Sequence, residues 1–117
     1  MNILGENVVV TKSFKFALKI VRYCEILEQN RKFVVSNQLL KSGTSIGANI
    51  HEAQNAESKA DFVHKMKIAA KEIDETKYWL MLCKESENYP NVNEELEDIL
   101  ELARIVNKII SSSKKVN

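Results

Sequence analysis

The chain has 117 residues, 44% apolar and 28% charged, with a net charge of +1, three glycines and one proline. This size suits one domain (residues 1–117), and the scarcity of turn residues argues against an all-β fold and favours long helices. The near-neutral total does not by itself demand a nucleic-acid partner, and the longest apolar run, Tyr78 to Cys83, is far too short to cross a membrane.

The opening "MNILGENVVV" lacks the basic start and the continuous apolar stretch of a signal peptide. A first helix is predicted over residues 11–29. Phe16, Ala17, Ile20, Val21, Cys24 and Leu27 recur at helical spacing, and Phe14 and Leu18 widen that stripe beyond one core-facing side. Lys12, Lys15, Lys19 and Arg22 share the remaining face. They are candidates for contact with phosphates, against the alternative of a plain solvated face. A homo-oligomer would repeat such a patch and extend it.

A second helix is predicted over 33–53, with Val35, Leu39, Ile46, Ile50 and Ala53 as its apolar stripe. A third, over 58–87, opens on "SKAD", a capping-box pattern of Ser58 and Asp61. Its seam is Phe62, Met66, Ala69, Ile73, Thr76, Leu80 and Cys83, and Pro90 forbids its continuation. A fourth, over 93–112, has Asn91 or Asn93 as N-cap and acidic first turns that suit the helix dipole. Leu96, Ile99, Ala103, Val106 and Ile110 form its seam, and "SSSKKVN" reads as a frayed tail. Four such helices with short loops predict an all-α, antiparallel up-down four-helix bundle.

The segment "KSGTSIGANIHEA" (residues 41–53) holds two of the three glycines. It lacks a preceding strand and a Gly-Lys-Ser/Thr ending, and G-x-G-x-x-G is absent, so it is not read as a nucleotide loop. On a helix, Gly43 and Gly47 lie one turn apart, a spacing that lets another helix come close. Gln38, Ser45, Asn49 and Glu52, with Ser42 nearby, form a polar stripe beside them. That stripe is either a solvated face or a hydrogen-bond network that fixes register or a subunit contact.

On the third helix a second stripe, Ile68, Glu75, Trp79 and Leu82 flanked by Tyr78, points away from the seam. It is a candidate subunit interface, or else a helix deeply buried by its neighbours. Asp61 and His64 have the i, i+3 spacing of a di-iron motif but no second copy, so no metal is expected. Cys24 and Cys83 form no metal spacing and read as buried free thiols, which fits a reducing cytoplasm. No pattern suggests a cofactor, and none is expected; no Ser-His-acid geometry is fixed by the sequence.

The run "SNQLLKSGTSIGANIHEAQNAESKADFVHKMKIAAKEIDETKYWL" resembles the bacterial four-helix-bundle family of 23S rRNA intervening-sequence proteins, which includes the accessory variability proteins of diversity-generating retroelements. The resemblance rests on Gln38-Leu39, Thr44 to Asn49, Glu52, Glu57-Ser58, Asp61-Phe62, His64-Lys65, Ala69, Glu72 and Tyr78-Trp79-Leu80. It implies an up-down bundle, a ring-like homo-oligomer (a pentamer by resemblance) and no known catalytic residues. The retroelement branch, which is strongly basic, contacts nucleic acid and a reverse transcriptase. The expectation is therefore a cytoplasmic, non-enzymatic oligomeric scaffold that contacts RNA or single-stranded DNA through helix one. The alternative is a protein–protein adaptor with no nucleic-acid role.

Overall fold

The computed structural model describes residues 7–115. The first six residues and the last two of the expected tail lie outside them. Four α-helices follow one another: α1 Val8–Gln29, α2 Phe33–Ala53, α3 Lys59–Glu85 and α4 Asn93–Lys115. Among the described residues there is no strand, and no helix is long and apolar enough to cross a membrane.

The helix ends follow from their caps. α1 starts three residues earlier than its apolar pattern suggests, because the Asn7 side chain accepts from the backbone N–H of Val9 (3.1 Å) and of Val10 (3.4 Å). At α3, Ser58 Oγ accepts from Asp61 N–H at 3.0 Å, and the Asp61 carboxylate accepts from Glu57 N–H at 3.2 Å. α3 stops at Glu85, and Asn88 in the following turn takes φ 65°, a left-handed conformation that asparagine tolerates. The turn after α1 also reverses through a left-handed residue, Arg31 (φ 61°), and closes when Lys32 N–H donates to Leu27 O at 2.8 Å. The tail differs from expectation. Residues 111–115 continue α4, where Ser113 Oγ donates back to Ile109 O and Ile109 and Ile110 pack on the core.

α1 packs on α2 and α4, and α3 packs on the same two; the backbones of the diagonal pairs stay apart. Ile20 meets Gly43 and Ser13 meets Gly47; Ser42 meets Thr76 and Lys65 meets Glu52; Lys12 meets Glu101 and Lys19 meets Asp98. The seams read from the sequence converge on one core, in which Ile20, Leu27, Leu39, Ile46, Ile50, Met66, Leu80, Ile99 and Val106 are fully buried. Tyr23 anchors the α3–α4 loop to α1 by donating to Pro90 O at 2.7 Å.

Candidate functional site

The glycine segment is helical throughout, inside α2. Its two glycines face α1. A Cβ on Gly43 would lie 2.7 Å from Ile20 Cγ2, and one on Gly47 would lie 3.2 Å from the Ser13 carbonyl oxygen. Real carbon atoms rest about 3.5–4.0 Å apart, so Gly43 is what lets α1 and α2 approach this closely.

The polar side chains divide into two groups. Ser42 reaches across to α3, where the buried Thr76 hydroxyl donates to its Oγ at 3.0 Å, and Glu52 pairs with Lys65 at 3.1 Å. Ser45 and Asn49 instead bond back to their own helix, to Lys41 O (2.6 Å) and Ser45 O (2.8 Å). Gln38 is exposed. The stripe is thus two inter-helix links within a row of self-satisfied groups, and not one continuous network.

The helix-one cations are also divided. Lys12 pairs with Glu101 at 3.0 Å; Lys19 bridges Asp98 at 2.7 Å and Glu94. Hydrogen bonding to Asp98 first, then to Glu94, raises the Lys19 pKa above its ordinary value, and the same bond lowers that of Glu94. Lys15 and Arg22 are exposed and enter no ion pair among the described residues. The sequence supplied Glu94, Asp98 and Glu101, but nothing local to α1 could show that α4 lays them alongside it.

On α3, Tyr78, Glu75 and Leu82 are exposed, while Ile68 and Trp79 are half-buried. Trp79 packs against the core and meets Tyr78 edge to face, with ring centres 5.3 Å apart. Its indole N–H is buried with no acceptor among the described residues. Beside this stripe, burial raises the Glu72 pKa, and the Glu75 charge adds to the effect. A second apolar surface lies on α1, where Phe14, Leu18 and Val21 are exposed. Next to it, Val10, Phe14, Ala17, Thr44, Gly47 and Ala48 line a cleft of about 480 Å³ between α1 and α2.

Cys24 and Cys83 are buried free thiols. Burial pushes Cys24 up to about 11 and also raises Cys83, which leaves both protonated and poorly nucleophilic at neutral pH. Asp61 serves the α3 cap, and His64 faces a different cleft, between α3 and α4, with Lys59, Lys67 and Lys114. Sequence reasoning missed that cluster. Lys59 and Lys67 stand eight residues apart, two turns along one helix, but Lys114 was assigned to a frayed tail and so had no position.

A family model described as 23S rRNA-intervening sequence protein matches residues 5–112. A crystal structure of a protein of unknown function from the S23 ribosomal protein family of Bacteroides thetaiotaomicron VPI-5482 superimposes with a TM-score of 0.85. The two are 44% identical, over 90% of this chain and 96% of that one. No curated protein matches the sequence. With nearly its whole length matched by the family model, and with a helical fold shared at 44% identity, the chain belongs to the family of 23S rRNA-intervening sequence proteins.

Proposed function

We propose that this chain is a non-enzymatic, cytoplasmic scaffold: an antiparallel up-down bundle that assembles with copies of itself into a ring-like homo-oligomer. One observation carries this reading. Among the exposed large apolar side chains, Phe14 (45%) and Leu18 (42%) stand one turn apart on α1, and Tyr78 (58%) and Met81 (51%) one turn apart on the non-adjacent α3. Apolar groups gathered on a surface mark interfaces more often than bare surface. Two different patches on opposite sides favour a head-to-tail contact, which closes into a ring when the rotation permits. The buried free thiols support a reducing compartment. Contact with RNA or single-stranded DNA through helix one has only Lys15 and Arg22 as free cations, since Lys12 and Lys19 are engaged by α4.

Light scattering after gel filtration tests the assembly. Phe14→Asp/Leu18→Asp and Tyr78→Asp/Met81→Asp should each yield monomers. Mixed one to one, the two variants should form a dimer and nothing larger, because each retains one of the two complementary faces. A wild-type monomer at micromolar concentration would overturn self-assembly and leave the same faces to a different protein, the adaptor reading. A variant that dimerises alone would overturn the head-to-tail contact.

A further inference from the structure

We propose that the cleft between the first turns of α3 and the last turn of α4 is a phosphate-binding site. It is an open depression of about 410 Å³, lined by Lys59, His64, Lys67 and Lys114 over a floor that includes Ala60 and Val63. No carboxylate lines it, and none of its three lysines belongs to an ion pair among the described residues. This inference does not depend on self-assembly.

The contrast with helix one carries the argument. There, two of four cations are held by carboxylates that α4 lays beside them. At the α3–α4 end the fold does the opposite and brings cations together with no counter-charge. Lys67 and Lys114 stand close enough for their side-chain contact, and then their like charges, to lower the Lys67 pKa. Like charges held together repel, and an anion seated between them removes that repulsion.

The side-chain chemistry is compatible with phosphate. Arginine's planar fork fits carboxylate and phosphate alike, and lysine, a rotatable point charge, is also a common phosphate binder. The cleft has lysines and no arginine. Three ammonium groups approaching from two helices suit a tetrahedral group with oxygens pointing in several directions. Phosphate on a nucleic-acid strand and phosphate on a small molecule share this chemistry.

The test uses the full chain. Amide resonances followed by NMR during titration with inorganic phosphate should shift at residues 59–67 and at Lys114, and should not shift with chloride at equal ionic strength. Fluorescence anisotropy with a labelled 20-nucleotide uridine strand distinguishes the sources. Three neutralised phosphates on a single strand give a salt slope of about −2, so affinity should fall about 20-fold between 50 and 200 mM salt. Lys67→Glu/Lys114→Glu, at exposed positions and checked for unchanged circular dichroism, should abolish the phosphate shifts and weaken strand binding more than 10-fold. Lys15→Glu/Arg22→Glu should bind as wild type does. Phosphate shifts without strand binding would assign the site to a small phosphorylated ligand. No phosphate shift, wild-type binding by the cleft variant, or equal competition by polyglutamate would overturn the proposal.

Discussion

Replacing Gly43 with alanine sets two effects of known sign against each other. Alanine is the better helix former by about 1 kcal/mol, so propensity alone predicts a more stable protein. The structure predicts the reverse. The new Cβ would lie 2.7 Å from Ile20 Cγ2, 3.0 Å from Cγ1 and 3.2 Å from Cβ. Ile20 is fully buried in α1, and a β-branched side chain in a helix has one strongly preferred χ1 rotamer, so it cannot turn aside. The two helices must part instead, and overpacking of this kind costs about 1–3 kcal/mol. We expect Gly43→Ala to lose about 1 kcal/mol net, which is roughly 4 °C in Tm for a chain of this length. In an Ile20→Ala background both γ-carbons are gone, and the same substitution should gain about 0.5–1 kcal/mol. Ile20→Ala itself should cost about 2–4 kcal/mol. Urea denaturation of all four proteins at one fixed concentration gives the coupling, expected at about 2 kcal/mol. If Gly43→Ala stabilises the wild type by the full propensity difference, the close approach of α1 and α2 does not exist as described.

The link between α2 and α3 makes a second prediction. Thr76→Val strands the buried Ser42 hydroxyl's acceptor side and should cost about 1 kcal/mol, while Ser42→Ala/Thr76→Val should lie closer to wild type, both read from urea midpoints. A third concerns Lys19, whose partners Asp98 and Glu94 are partly exposed. Lys19→Met should lower stability at pH 7 by about 0.5–1 kcal/mol. Glu94 has its folded pKa depressed below 4.5, so its contribution is complete above that value and is lost as pH falls through the folded pKa. The Tm difference between wild type and Lys19→Met should therefore close progressively below pH 4.5.

These tests separate what one helix reveals about itself from what only its neighbours decide. The seams of α3 and α4 were legible because burial imposes a period on each helix alone, and Met66, Ile73, Leu80, Ile99 and Val106 keep that period. The cap at Ser58 was legible because its partner is three residues away. The start of α1 was not, since "GENVVV" carries no polar alternation and one asparagine side chain fixes it. Charge was the least legible of all. Lys12, Lys15, Lys19 and Arg22 form one stripe on a helical wheel, yet the stripe lies along the α1–α4 seam. There Lys12 and Lys19 meet Glu101, Asp98 and Glu94, which lie 89, 79 and 75 residues away in sequence. Lys59, Lys67 and Lys114 form no stripe on any single helix, yet the fold gathers them around one cleft. A helical wheel counts charges on its own surface and cannot count those that a packed neighbour contributes or withholds. For this bundle, then, the free positive surface follows from which helices are adjacent: α4 engages Lys12 and Lys19 and leaves Lys15 and Arg22 free, while the α3–α4 end gathers Lys59, Lys67 and Lys114.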